Sequence, residues 1–169
     1  MLRTILLSLL LTAVLASAQT ADPNAPLSAF VGRWEGGGTF YDTAMSKAGT
    51  ITSKTDCEWS PQSHYLVCEQ SITDEKGTHQ QLTVYTPSEN GSDFTYYTIA
   101  GSNAPFTGKV KIEGNKWTYD NSFEQDGKKT EVRTTNLFTA DEETFKTEYS
   151  VDGGAWTTML DGKSHRVKK

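Results

Sequence analysis

Regularly spaced turn signals constrain the fold of this 169-residue chain more than any other feature. Short runs rich in threonine, tyrosine, phenylalanine, valine and tryptophan alternate between apolar and polar residues, which is the period of a β-strand. Clusters such as DEKG, EGNK, QDGK and DGGA separate these runs. Apart from one helical turn expected near Asn24 and Pro26, no segment has helical periodicity. The pattern predicts an all-β fold, an antiparallel up-and-down barrel of about ten strands with a short N-terminal helical turn.

The turns in the second half of the chain predict which side chains face the barrel centre. We place tight turns at Gly114-Asn115 and Asp126-Gly127 and a four-residue loop at residues 140–143. One face then collects charges from three neighbouring strands, which belong in solvent: Lys109, Asp120 and Arg133. The opposite, inward face collects mostly apolar residues: Phe106, Val110, Ile112, Trp117, Tyr119, Phe123, Val132, Phe138, Phe145, Tyr149 and Val151. With a further loop at residues 152–155, four more residues join the inward face: Trp156, Thr158, Leu160 and Arg166.

This predicted inward face mixes aromatic rings with hydrogen-bonding side chains. Asn121 and Asn136 lie among the rings and need partners or water if buried. A barrel with such a lumen suits a small amphipathic or apolar molecule. The predicted ligand contacts are Trp117, Tyr119, Asn121, Asn136, Tyr149 and Trp156. Two alternatives stay open: a filled structural barrel with ordered waters and no ligand, and an enzyme that uses Tyr119 and Tyr149 as acid or base.

The stretch VGRWEGGGTF places a tryptophan among glycines near the start of the mature chain. If Trp34 faces inward, Gly36 and Gly38 do so too, and their bare backbone allows the sharp bend of a barrel corner. Trp34 would then plug the closed end of the barrel. We expect Arg166, from the last strand, to stack on its indole ring.

This GxW start with a late arginine resembles the calycins: lipocalins, fatty-acid-binding proteins, avidins and nitrobindin-like haem barrels. The resemblance is closer to an uncharacterised secreted bacterial family of calycin-like barrels, the domain of unknown function fifteen seventy-nine. It is carried by LSAFVGRWEGGGTF, by GNKWTY and by DGGAWTTMLDGKSHRV, of which the last is the most specific. The resemblance implies a barrel and a small-ligand role, and it implies no established activity.

Haem is considered because nitrobindin-like barrels hold it through an inward histidine on a late strand. His165 is the only candidate for that position. It is adjacent to the inward Arg166 and is therefore expected to point outward. Since haem iron needs an axial ligand and no pair of residues has metal-ligand spacing, the sequence predicts no cofactor and no metal.

Two cysteines, Cys57 and Cys68, flank the turn signal SPQS. A hairpin with a loop at residues 61–64 places them opposite each other at a non-hydrogen-bonded pair, where side chains are closest. We therefore predict a disulfide, which would stabilise the fold by about 2–3 kcal/mol.

The N-terminus predicts export. Residues 1–18 have a basic start, a short apolar run and the small-x-small ending of a signal peptide, with cleavage after Ala18. The apolar run is too short to span a bilayer. The expected organisation is a signal peptide at 1–18, a linker with a helical turn at 19–29 and the barrel at 30–169, in a secreted or periplasmic protein. The net charge of −5 argues against a nucleic-acid partner, and the sequence is silent on oligomeric state.

Overall fold

The computed structural model describes residues 22, 24–87, 92–101 and 104–168, and these form a closed antiparallel barrel. Each strand pairs with the next along the chain, and the last pairs with the first, which confirms the predicted up-and-down barrel with its short N-terminal helix. The signal peptide predicted at residues 1–18 lies outside the described residues. In this part of the chain the elements are a 3₁₀ helix η1 (Ala25–Phe30), a 3₁₀ turn (Pro61–Ser63) and ten strands: β1 (Gly32–Phe40), β2 (Gly49–Trp59), β3 (Leu66–Asp74), β4 (Gly77–Thr86), β5 (Asp93–Ala100), β6 (Phe106–Glu113), β7 (Lys116–Gln125), β8 (Lys128–Phe138), β9 (Glu142–Val151) and β10 (Thr157–Arg166).

The predicted register holds through the middle of the barrel. Glu113 pairs with Lys116 across the turn at Gly114-Asn115, and Gln125 pairs with Lys128 across the turn at Asp126-Gly127. Asp126 and Gly127 have φ values of 52° and 73°, the left-handed backbone that a two-residue hairpin turn requires. On the outer face the Asp120 carboxylate accepts from Arg133 at 2.7 Å, and both side chains are exposed.

The turn between β8 and β9 differs from the prediction. The chain reverses over two residues, Ala140 and Asp141, because the Thr139 N–H donates to the Glu142 carbonyl at 2.7 Å and the Glu142 N–H donates to Thr139 Oγ1 at 2.9 Å. The register therefore shifts by two residues, and Phe138 pairs with Glu143. A shift of two keeps every side chain on its predicted face. It also turns Glu143 from a loop residue into an inward-facing strand residue.

A second difference lies in β10. The register shifts between Thr158, which pairs with Glu148, and Leu160, which pairs with Thr147. This β-bulge reverses the inward and outward alternation on its N-terminal side. The predicted inward orientation is thus correct for Leu160, which lines the barrel interior. It is wrong for Thr158, whose hydroxyl is directed to Glu148, and for Trp156.

An aromatic core fills one end of the barrel. Helix η1 crosses this end and buries Leu27 and Phe30. The Phe30 ring contacts four further aromatic rings: Trp34, Tyr85, Trp117 and Phe138. Arg166 lies opposite Trp34 in the β1–β10 ladder, with its guanidinium carbon 4.2 Å from the indole centroid. Its nitrogens donate to backbone carbonyls of η1, of the residue between η1 and β1, and of the β8–β9 turn: Ala29, Val31 and Ala140.

The predicted disulfide between Cys57 and Cys68 is confirmed. The two residues are directly opposite in the β2–β3 ladder, with Cα atoms 4.1 Å apart. The Ser60 N–H donates to the Tyr65 carbonyl at 2.8 Å, which closes the loop at residues 61–64 as predicted. Disulfides are typical of oxidising compartments, so the bond is consistent with an extracellular or periplasmic location. Within the described ranges, no helix combines the length and apolar character needed to cross a membrane.

Candidate functional site

A cavity of about 360 Å³ lies inside the barrel, beyond the aromatic core. Every strand except β1 contributes to its wall, and Phe30 of η1 closes one end. Apolar side chains form much of the wall: Ile51, Ile72, Phe106, Phe145 and Leu160. Phe106 is 51% exposed and therefore marks the side of the cavity that meets solvent.

One carboxyl group reaches the interior. Glu143 is 6% exposed, and it faces inward because it follows the tight β8–β9 turn directly. Ser164 is its cross-strand neighbour on β10, and Asn136 is its diagonal neighbour on β8. The Asn136 Nδ2 donates to Glu143 Oε1 at 2.7 Å, and the Ser164 hydroxyl also donates to this carboxyl. Burial raises the pKa of Glu143 to about 7, although these two hydrogen bonds act to lower it.

Asn136 also presents an acceptor without a partner. Because its Nδ2 is used by Glu143, its Oδ1 is directed away from the carboxyl, and this buried oxygen accepts no hydrogen bond from the described residues. A buried acceptor in this state costs about 1–3 kcal/mol. Glu143 and the Asn136 side chain that holds it lie together in the cavity wall. We call this pair the acceptor patch, after the carboxylate that can accept hydrogen bonds from the cavity.

Three tyrosines line the cavity near this patch. The hydroxyls of Tyr85 and Tyr119 are 3.1 Å apart, and the Tyr96 hydroxyl contacts the Asn121 side chain at 3.2–3.3 Å. Burial is the largest cause that raises the pKa of both Tyr85 and Tyr119. Tyr85 and Tyr119 are consequently neutral at physiological pH and act as hydrogen-bonding groups on aromatic rings.

Other polar side chains of the wall pair with one another. The hydroxyls of Thr83 and Thr98 are 2.9 Å apart, as are those of Thr134 and Thr147. Such cross-strand pairs satisfy polar groups in a barrel interior. The acceptor patch is thus the part of the wall that retains unused hydrogen-bonding capacity.

The six predicted ligand-contact residues divide into three groups. Tyr119, Asn121 and Asn136 line the cavity. Trp117 and Tyr149 are 0% and 8% exposed, but neither is among the cavity-lining residues, and Trp117 belongs to the aromatic core. Trp156 is 40% exposed and lies outside the barrel, with the Arg133 guanidinium carbon 4.7 Å from its ring centroid.

Sequence reasoning missed Glu143, because the run ADEE, with three acidic residues, predicts a loop. The signal that could have found it is the alternation of β9, in which Glu143 precedes Phe145, Thr147 and Tyr149 at a spacing of two. In the described part of the chain, neither a histidine nor a lysine or arginine is among the cavity-lining residues. His165 is exposed and pairs with Glu35 and Glu142, the outward position expected from the sequence.

The barrel is similar to two solved structures that share little sequence with it. The crystal structure of Rv2717c from M. tuberculosis matches with a TM-score of 0.62 and 14% identity, over 88% of this chain and 99% of that chain. The S-type phycobiliprotein lyase CPES from Guillardia theta matches with a TM-score of 0.54 and 11% identity, over 84% of this chain and 90% of that chain. Both likenesses fit a calycin-like barrel, and at these identities they show the fold alone.

No family model and no curated protein matches the chain. The resemblance to the domain of unknown function fifteen seventy-nine therefore stays a prediction, while the calycin-like fold stands on the structure.

Proposed function

We propose that this barrel binds a small amphipathic molecule in its cavity. The observation that carries the proposal is the cavity of about 360 Å³ with a mixed wall, apolar at Phe106, Phe145 and Leu160 and polar at Glu143 and Asn136. Ligand sites of proteins typically have volumes of roughly 300–1,000 Å³ and combine an apolar lining with a few polar groups. The volume is at the lower end of this range, which favours a compact molecule over a long-chain lipid.

The cavity also argues against the filled structural barrel. A filled core has few voids larger than a water molecule, whereas this space is many times that size. Water alone would suit the acceptor patch, but it would leave the rings of Phe106, Phe145 and Tyr96 wetted. A ligand with an apolar body and a polar head satisfies both parts of the wall.

We also propose that the protein acts outside the cytoplasm, in the periplasm or the extracellular medium. The Cys57–Cys68 disulfide supports this location, together with the signal peptide predicted at residues 1–18. An exported small-ligand barrel fits a role in carrying or sequestering a molecule in that compartment.

Native mass spectrometry of protein isolated from its own host tests the binding function. The matched variants are Thr147→Trp, which fills the cavity, and Thr144→Trp, which adds the same bulk to an exposed position of the same strand. We expect wild type and Thr144→Trp to carry a small-molecule mass that Thr147→Trp has lost. A bare polypeptide mass for the wild type, or an adduct that persists in Thr147→Trp, would contradict the proposal.

An acid–base enzyme is the second candidate, and Glu143 is the observation that favours it. A buried carboxyl with a pKa near 7 can both give and accept a proton at neutral pH. The raised pKa values of Tyr85 and Tyr119 keep those phenols protonated at that pH and make them weak acids. The test incubates the ligand released from the protein with wild type and Glu143→Gln. Conversion by wild type alone would support catalysis, and recovery of unchanged ligand from both would exclude it for that compound.

A further inference from the structure

We propose that the ligand is an organic cation, a protonated amine with an apolar body, whose ammonium group binds the acceptor patch. This inference rests on the proposed binding function and specifies the chemistry of the ligand. Three features of the cavity carry it: an acidic group without a counter-charge, lone pairs on that group that its two neutral donors leave unused, and aromatic rings around it.

The first feature is the uncompensated charge of Glu143. Its carboxyl has Asn136 and Ser164 as neutral hydrogen-bond donors, and none of the ion pairs among the described residues includes it. The titratable groups that line the cavity with it are the phenols of Tyr85, Tyr96 and Tyr119, on β4, β5 and β7. Burial raises the pKa of Tyr85 and Tyr119 and keeps these two neutral. A buried carboxylate is disfavoured unless a positive charge accompanies it, and the cavity-lining residues provide none.

The second feature is the unused hydrogen-bonding capacity of the Glu143 carboxyl. A deprotonated carboxylate only accepts and offers about four lone-pair positions, whereas Glu143 meets two neutral donors, Asn136 and Ser164. The Asn136 Oδ1 is buried out of reach of the cavity and adds no contact to a ligand. A ligand head with several N–H donors and a positive charge matches the carboxylate, whereas a carboxylate or phosphate head would be repelled by it.

The third feature is the aromatic surround. Tyr85, Tyr96 and Tyr119 lie against one another with ring centroids 5.4–6.3 Å apart, and Phe145 joins them in the wall. The negative faces of such rings attract a cation in a desolvated site, and the same rings pack against an apolar body. The cavity therefore suits a positive head and an apolar tail of one small molecule.

Three probes of matched size and different head groups test the proposal by isothermal titration calorimetry at pH 8: 2-phenylethylamine, 2-phenylethanol and 3-phenylpropanoate. We expect wild-type protein to bind the amine at least tenfold more tightly than the alcohol, and the carboxylate more weakly still. Glu143→Gln should weaken the amine at least tenfold and change the alcohol less than twofold. Glu142→Gln is the matched control, because the neighbouring Glu142 side chain is exposed and its partner is Lys163 on the outer face.

Proton competition adds a second readout on the wild-type protein. Because the amine stays protonated between pH 6 and pH 8, the pH dependence of its binding reports on Glu143, the carboxyl that lines the cavity. With a pKa of about 7 for Glu143, the dissociation constant of the amine should rise about tenfold from pH 8 to pH 6, as the deprotonated fraction falls. The dissociation constant of the alcohol should be the same at pH 6 and pH 8.

The outcomes separate this inference from the binding function beneath it. If the alcohol or the carboxylate binds wild type as tightly as the amine, or if Glu143→Gln leaves amine binding within twofold, the cation proposal is overturned and the binding function stands. If none of the three probes binds, the cation proposal is overturned, and the native mass spectra of wild type and Thr147→Trp decide the binding function separately. Thermal melting of Glu143→Gln confirms that each comparison is made on folded protein.

Discussion

The buried Glu143 carboxyl predicts a fold that is less stable at neutral pH than in mild acid. Burial raises its pKa from 4.5 to about 7, so the folded state holds this proton more tightly than the unfolded chain does. The stability that the protonated Glu143 gives the folded state is fully present below pH 4.5, where both states are protonated. This stability is lost as the pH rises through 7, where the folded state must bury a charge. Each pH unit between these values corresponds to ~1.4 kcal/mol, so the loss amounts to about 3 kcal/mol of unfolding free energy.

Glu143→Gln removes this dependence, because glutamine has nearly the same shape and stays neutral. The measurement is urea denaturation of wild type and variant at pH 4.5, 6 and 8, followed by tryptophan fluorescence with the disulfide intact. The variant should become more stable relative to wild type by about 3 kcal/mol between the lowest and the highest pH. The exposed control Glu142→Gln should stay within about 0.5 kcal/mol of wild type throughout.

A difference between wild type and Glu143→Gln that is the same at all three pH values would refute the reasoning. It would mean that Glu143 titrates in the folded protein as it does in the unfolded chain, and hence that its carboxylate is solvated or neutralised. The acceptor patch would then lose its uncompensated charge.

Three further predictions concern the fold. Gly162→Ala should lower the unfolding free energy by about 1–3 kcal/mol or more, because a Cβ there would overlap the backbone of β1 and the Phe145 ring. Gly49→Ala, which meets no atom within 4 Å, should be neutral or stabilising, and thermal melts of both variants check this pair. Reduction of the Cys57–Cys68 disulfide should destabilise the barrel by about 2–3 kcal/mol, measured by urea denaturation with and without reductant. Arg166→Lys should cost about 1.5–3 kcal/mol, since the ammonium cannot reproduce the planar contacts with three carbonyls, and an unchanged melting temperature would contradict this.

The sequence could predict which face of the sheet each side chain occupies, because side chains alternate between the two faces of a β-strand. Turn dipeptides such as Asp126-Gly127 specify a register, and the alternation of each strand then specifies a face. The faces of Trp117, Tyr119 and Asn136 were predictable for this reason. Alternation does not show how deep a residue lies along the barrel axis, so it could not separate Trp117 in the aromatic core from Tyr119 in the cavity.

The two errors of prediction, the length of the β8–β9 turn and the orientation of residues at the start of β10, also have physical causes. The ADEE run contains one alanine and three acidic residues, and nothing in its composition shows that the chain turns at its first two residues and leaves Glu143 facing inward. The bulge between Thr158 and Leu160 lies in a strand without glycine or proline at that point. A bulge reverses orientation on one side only, which placed Trp156 on the outer surface while Leu160 kept its predicted face.

The acceptor patch connects the glycine-rich opening motif to the proposed site. Gly36 lies opposite Ser164 in the β1–β10 ladder. A Cβ at Gly36 would come within 2.2 Å of the Lys163 carbonyl oxygen, 2.4 Å of the Ser164 Cα and 2.6 Å of the Ser164 hydroxyl oxygen. The bare backbone at this position therefore lets β10 approach β1 closely, and the same absence of a side chain leaves room for the hydroxyl that donates to Glu143. Proteins typically break local rules of stability at functional sites. Three such features meet at one point of this wall: a destabilising carboxyl, an unused amide oxygen, and a glycine beside the hydroxyl that donates to the carboxyl.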